Sequence, residues 1–285
     1  LYLTSGQEGT AEAAFERALQ LGGPELEASE QARLRRGLAR ALIGQGELEQ
    51  AADALARALE EAEAADDVEL ERTVVGDLLA VQYSLGSLER VLELSKHARR
   101  LAESRGDHIE AAMQREIAIK VLLRLERHEK ALVLLHESLD YVRRRGPRRK
   151  KLVLMMELGK VNFDLGRLEE SESVYQEALE EAQEQSNPRA MAVVLGRLGA
   201  LYAERGELEA ALRYGELALD KVDAETAPDV VAEQHVLLAL TYRDLGQFDS
   251  AVAAAEKASE LYAGLENEEM ALGARQLLEE LSAAV

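Results

Sequence analysis

The sequence predicts an all-α protein, an α-solenoid of tandem helical hairpins, and three observations lead to this fold class. Residues of the same type recur every forty positions along the chain. The recurring small and apolar residues are three or four positions apart, as on one face of a helix. Glycine or proline marks the two connections in each repeat. Composition agrees, since 47% of the 285 residues are apolar and Cys and Trp are absent.

Glycines recur at a strict interval of forty residues, and we use these positions as anchors of the repeat. Glycine permits the left-handed backbone that ends one helix and lets the next begin within three residues. The third repeat lacks this glycine and has Glu126 instead. The anchor glycines are Gly6, Gly46, Gly86, Gly166, Gly206 and Gly246.

Small and apolar residues surround each anchor at helical spacing. Five residues after the anchor stand alanines such as Ala51 and Ala211, and eight before it stand leucines such as Leu78 and Leu198. The first set predicts the buried face of the second helix in each repeat, and the other set predicts the buried face of the first helix.

Proline falls in the connections between repeats, at Pro24, Pro147, Pro188 and Pro228. Asn187 is expected to cap a helix that begins at Pro188. The expected organisation is a single solenoid over residues 1–285, with a half repeat first, six full repeats and a C-terminal capping helix. The corresponding ranges are 1–23, 24–66, 67–106, 107–146, 147–186, 187–226, 227–264 and 265–285.

The pattern resembles the tetratricopeptide repeat family, most fully in residues 198–202 (Leu-Gly-Ala-Leu-Tyr), Gly206, Ala211 and Ala218. The interval of forty is similar to the long repeats of kinesin light chains, Leu-Gly-Asn repeat proteins and sensor domains of bacterial signalling ATPases. This resemblance implies a right-handed superhelix that binds proteins and has no catalytic activity. It also implies that extended peptides dock on the inner, concave surface.

A second stripe on each first helix, at 13, 10, 6 and 3 residues before the anchor, is expected to line that concave groove. These positions carry six basic and two acidic residues in a chain of net charge −20. This local excess of positive charge in an acidic chain predicts an acidic or amphipathic peptide as partner. The alternative is that the basic side chains pair with carboxylates of neighbouring repeats. The candidate peptide-binding residues are Arg33, Arg36, Arg40, Tyr83, Met113, Lys120, Met156, Lys160, Phe163 and Arg243.

A dense basic segment lies between the third and fourth repeats. It is interpreted as a surface loop that faces acidic neighbours or a partner domain, and polyanion binding is the alternative. Nucleic acid and membrane are disfavoured as partners because the chain is acidic overall. The segment comprises Arg143, Arg144, Arg145, Arg148, Arg149, Lys150 and Lys151.

Catalytic and cofactor motifs are not found in the sequence. Gly44 and Gly46 lack the further glycine and lysine of a phosphate-binding loop, and the five histidines lack zinc-ligand spacing. No nucleophile is accompanied by a base, so the sequence predicts no enzyme, no cofactor and no metal site. The Asn that a carboxylate clamp for chaperone C-termini needs, six residues before the anchor, is also missing.

The predicted function is therefore a protein-interaction module, a scaffold or regulatory part of a larger bacterial signalling protein in the cytoplasm. The first residue, Leu1, is expected to lie within a longer chain. The alternative function is a sensor domain for a small ligand. An apolar face on the truncated first repeat, at residues 11–19, predicts self-association as a further possibility.

Overall fold

The computed structural model describes residues 8–22, 25–146, 148–265 and 267–283. For Glu8, Arg145, Arg148 and Arg149 it describes the backbone only. The predicted anchor Gly6 and the predicted connection residues Pro24 and Pro147 lie outside the described residues.

Fourteen α-helices and no β-strand make up the described part of the chain, which confirms the predicted fold class. The helices are α1 (Glu8–Gly22), α2 (Ala28–Gln45), α3 (Leu48–Ala64), α4 (Val68–Ser84), α5 (Leu88–Ser104), α6 (His108–Arg124), α7 (His128–Arg145), α8 (Arg148–Asp164), α9 (Leu168–Glu184), α10 (Pro188–Glu204), α11 (Leu208–Leu219), α12 (Pro228–Asp244), α13 (Phe248–Gly264) and α14 (Glu268–Ser282).

The chain divides into two compact units, Leu1–Leu134 and Leu135–Val285, with the boundary inside α7. In the first unit each helix from α1 to α6 packs against the next, and in the second unit each helix from α8 to α14 does the same. Sequential packing of this kind buries a core between neighbouring hairpins. The exact repeat boundaries given above remain a prediction.

The core residues stand at the predicted offsets. Ala51 and Leu78 are fully buried in the first unit, and Leu198 and Ala211 are buried in the second. A large side chain on one helix faces a small residue on the helix packed against it. The fully buried Tyr175 ring lies against Gly159, where a Cβ atom would approach a ring carbon to 2.4 Å.

Each anchor residue from Gly46 onwards ends its helix in the left-handed conformation. Gly46 has φ 85°, and the amide of the next residue, Glu47, donates to the Leu42 carbonyl at 2.9 Å. This is the Schellman motif. Glu126, the residue without glycine's freedom, takes the same conformation with φ 53°, and Arg127 donates to Leu122 at 2.8 Å.

Three of the connections between repeats use the same motif, twenty residues away from the anchors. Asp66, Gly106 and Ser186 all have positive φ there. The residue after each of them caps the next helix: the amides of Leu70, Glu110 and Ala190 donate to the side chains of Asp67, Asp107 and Asn187, each at 3.0 Å. The predicted Asn187 cap before Pro188 is thereby confirmed.

Candidate binding surfaces

The expected groove stripe of the first unit runs along α2, α4 and α6, on the side of each helix that faces away from the core. Its largest apolar members are exposed: Ile43 by 38%, Tyr83 by 47% and Met113 by 49%. The Arg124 guanidinium lies 6.0 Å from the Tyr83 ring centroid, a distance at which a cation attracts the ring face. This stripe thus presents apolar and cationic groups together.

Most basic residues of this stripe are already engaged. Arg33 pairs with Asp67 at 3.1 Å, and Arg36 pairs with Asp77 at 2.6 Å, so both bridge α2 to α4. Lys120 pairs with Glu116 on its own helix at 3.2 Å. These contacts agree with the alternative interpretation, in which the basic side chains meet carboxylates of the neighbouring repeat.

Arg40 is the exception in the stripe. It is exposed and makes no ion pair within the part of the chain that the structure describes. It lines a cleft of about 260 Å³ between α2 and α4, together with Ile43, Asp77, Ala80 and Ser84. The cleft combines one uncompensated cation with an apolar wall.

In the second unit the stripe runs along α8, α10 and α12. Val153 is 58% exposed, whereas Met156 and Phe163 are half-buried. The basic residues are again paired locally, Lys160 with Asp164 at 2.6 Å and Arg243 with Asp244 at 2.9 Å. Its apolar residues and small residues therefore dominate this surface.

Ion pairs also link consecutive first helices in the second unit. Arg189 at the start of α10 pairs with Asp229 at the start of α12, and Arg197 pairs with Glu233 at 3.2 Å. The Arg189 guanidinium lowers the pKa of the Asp229 carboxyl below its usual value. None of these partners is recognisable from spacing along one helix, because each lies on the next first helix.

The basic segment differs from its expected form. Most of it is helical, since α7 extends to Arg145 and α8 begins at Arg148, and the prediction of a surface loop is wrong. Arg and Lys favour helices, and Pro147 precedes the first residue of α8, where proline does not interrupt helical hydrogen bonds.

Several cations of this segment meet carboxylates. Arg143 pairs with Glu177 at 3.0 Å, and Lys151 pairs with Glu181, whose side chain is only 4% exposed. Arg144 accompanies Asp140 on its own helix. The acidic neighbours expected from the sequence are therefore present on α9, and two of the cations are used there. The side chains of Arg145, Arg148 and Arg149 lie outside the described set.

One cluster of possible metal ligands was missed by sequence reasoning. A ligand atom each from Glu63, Glu71 and His97 lies within 4.8 Å of the others. The three residues belong to α3, α4 and α5, so no short motif joins them. His97 Nε2 and Glu71 Oε1 are 2.5 Å apart, which is a hydrogen bond between protein groups and satisfies both without an ion.

The sequence matches tetratricopeptide repeat profiles over residues 1–67, 151–223 and 232–264. None of the curated proteins matches it. No helix among the described residues is long and apolar enough to cross a membrane.

Solved structures with a similar fold include three proteins of different kinds. BtubC (BKLC) from P. vanneervenii is 21% identical over 76% of this chain and 92% of its own, with a TM-score of 0.58. The Rap conjugation gene regulator of plasmid pLS20, solved with the Phr* peptide, is 13% identical over 98% of this chain and 81% of its own, with a TM-score of 0.59. A signal transduction ATPase with a tetratricopeptide repeat sensor from Pyrococcus horikoshii is 17% identical over 99% of this chain and 47% of its own, with a TM-score of 0.54.

Proposed function

Since this chain belongs to the tetratricopeptide repeat family, we propose that it is a non-catalytic protein-interaction module that binds a peptide or partner helix along its first helices. The observation that carries the proposal is the exposure of large apolar side chains at the groove positions. Ile43, Tyr83 and Met113 stand there in the first unit, and Val153 in the second. Contiguous exposed apolar patches typically mark a binding surface, and these residues recur at equivalent positions of successive first helices.

An amphipathic segment with at least one acidic side chain suits the surface of the first unit best. Its apolar face would cover Ile43 and Tyr83, and its carboxylate would pair with Arg40. Arg33 and Arg36 are less suited to this role, because a ligand would have to compete with Asp67 and Asp77. The Rap regulator, which shares the fold, was solved with a peptide.

The proposal extends to the biological setting. The ATPase from Pyrococcus horikoshii carries a repeat sensor, and the present chain spans about half of that protein. A regulatory or scaffold role within a longer cytoplasmic bacterial signalling protein fits this likeness. Self-association through the apolar face at residues 11–19 of α1 is less well supported, because Ala11 is 1% exposed and Phe15 lies against Gly37 of α2.

The test begins with a displayed library of short random peptides selected on the purified chain. The selected peptides are then titrated against Arg40→Glu and Ile43→Asp variants. We expect enrichment of apolar residues with Asp or Glu, an affinity that falls as salt rises, and a loss of about tenfold in each variant, equivalent to about 1.4 kcal/mol.

Arg57→Glu is the matched control, because Arg57 is also exposed, lies in the same unit and makes no ion pair among the described residues. It makes the same change of charge away from the stripe. The proposal fails if no peptide is enriched, or if the Arg57→Glu and Arg40→Glu variants weaken binding equally.

A small-ligand sensor is the second candidate function. It is favoured by a cavity of about 270 Å³ in the second unit, close to the lower end of ligand-pocket sizes. A sensor of this kind would show saturable thermal stabilisation by a small molecule and no response to the selected peptides.

A further inference from the structure

The cavity of the second unit lies between α10, α11 and α12 and opens on the groove stripe. Six groove positions contribute to its wall: Phe163, Gly196, Ala200, Ala203, Leu240 and Arg243. The cavity exists because many of the residues that face it from the surrounding helices are glycines or alanines. The small residues that line it are Gly196, Gly199, Ala200, Ala203, Ala211 and Gly215.

A buried amide, Gln234, forms part of the wall. The residue is 1% exposed, and its Oε1 atom has no hydrogen-bond partner within the described residues. The amide lies against Gly196, where a Cβ atom would approach both Oε1 and Nε2 to 2.4 Å. Glycine at position 196 is therefore what allows the amide to reach this place.

The fold itself does not require a polar side chain at this position. Four equivalent residues of other repeats, forty positions apart, are apolar: Leu34, Val74, Leu154 and Val194. The third repeat has Gln114, which is also buried with an unpaired Oε1, but its NH2 group donates to Glu110 at 2.6 Å. The Gln234 amide has no such partner among the described residues, and an unpaired buried acceptor lowers stability, so a ligand group that pairs with this amide would remove the cost.

We propose that this cavity is the side-chain pocket of the second unit's docking surface and takes a carboxamide side chain, Gln or Asn, from a bound peptide. A carboxamide donates to the Gln234 carbonyl oxygen and accepts from its NH2 group, so the two amides pair reciprocally. Gln234 itself is neutral and favours a neutral ligand group; of the charged residues that also line the cavity, Arg243 is paired with Asp244 at 2.9 Å. The apolar stem of the ligand would contact Leu237 and Leu240.

This inference rests on the proposed peptide-binding function, and its test is independent of any selected peptide. N-acetyl-glutamine N-methylamide and its near-isostere N-acetyl-methionine N-methylamide are titrated into the isotope-labelled chain, and the side-chain NH2 signals of Gln234 are followed by NMR. The trans secondary amides of both probes cannot pair reciprocally with Gln234, so only the glutamine side chain offers a carboxamide. We expect saturable shifts with the glutamine probe, and binding at least about tenfold weaker with the methionine probe.

Two variants complete the experiment. Gln234→Met removes the hydrogen-bonding group at similar volume, and Ala203→Phe fills the cavity from its wall. Each variant should weaken the glutamine probe at least tenfold, as followed on neighbouring backbone signals. Gln176→Met, an exposed exchange on α9 of the same unit, should leave its affinity unchanged.

The proposed pocket is contradicted if both probes bind with equal affinity or if no saturable binding is seen. It is also contradicted if Gln234→Met leaves the affinity for the glutamine probe unchanged. These results leave the peptide selection on Arg40 and Ile43 untouched, because those residues lie in the other unit. Conversely, binding of the glutamine probe without any enriched peptide would support the pocket and contradict the proposed function.

Discussion

At the scale of single residues, the forty-residue interval correctly predicts where the backbone turns. Five anchor glycines within the described chain have positive φ, and Glu126 follows them although it carries a side chain. The second left-handed position, which three repeats have, is not predictable from the sequence, because Asp66 and Ser186 share no residue type with Gly106. Conformation is thus set by the hairpin geometry, and glycine only reduces its cost.

Substitutions at the two kinds of anchor residue, glutamate and glycine, should therefore change the stability of the protein in opposite directions. Glu126→Gly removes a strained side chain and should stabilise the protein by about 0.5–1 kcal/mol, since the added chain entropy of glycine in the unfolded state offsets part of the gain. Gly166→Ala should destabilise it by about 1 kcal/mol, because a Cβ atom there meets no neighbour and only the backbone is strained. Urea unfolding measures both, and equal signs would contradict the argument.

At the scale of helices, sequence spacing predicts buried faces well and ion-pair partners poorly. The stripe on α2 lies on the side of the helix away from the core, and the pairing of Arg36 with Asp77 depends on the packing of α4. The same holds for Gln234, whose neighbour Gly196 lies 38 residues earlier in the chain. Contacts between repeats depend on how the helices pack against each other, and the forty-residue interval alone does not determine that packing.

The pairing of α8 with α9 gives a prediction at this scale. Glu181 is buried, and Lys151 neutralises it from the start of α8. Lys151→Met should destabilise the protein by about 2 kcal/mol, because the buried Glu181 carboxylate loses its ammonium partner and keeps only other contacts, such as the hydrogen bond from Gln185. Adding Glu181→Met should recover most of the loss. Arg144→Met, from the same basic segment but with a side chain 75% exposed, should change the unfolding midpoint little.

If that double variant were no more stable than Lys151→Met alone, Lys151 would contribute by packing its stem rather than by its charge. A simultaneous loss of stability in Arg144→Met would indicate that the whole segment acts together. Either result would indicate that the basic segment contributes to the stability of the fold, whether or not it binds a polyanion.

At the scale of the whole molecule, carboxylates that support the fold occur in both units. The Leu70 amide bonded to Asp67 lowers the pKa of that carboxyl in the first unit. In the second unit the Tyr202 hydroxyl and Arg205 lower the pKa of Glu172, and Arg189 lowers that of Asp229. A carboxyl whose pKa is lower when folded stabilises the protein above its unfolded pKa and loses that contribution as pH falls.

These carboxyls should contribute fully from neutral pH down to about 5 and lose their contribution as pH falls through about 4, where the unfolded carboxyls bind protons before the folded ones. In the second unit a further loss of stability begins below about pH 6.5, because burial lowers the pKa of His235 and the unfolded imidazole binds a proton first. Circular dichroism melts across this range measure the global effect.

The Leu70 amide provides a local measurement, because its protection from hydrogen exchange should fall as Asp67 becomes protonated. In Asp67→Asn the amide oxygen still caps α4 but does not titrate, so the protection at Leu70 should become independent of pH in that window, after correction for intrinsic exchange. If protection in Asp67→Asn falls as steeply as in the unmodified chain, acid acts through other groups and the cap contributes nothing to the pH dependence.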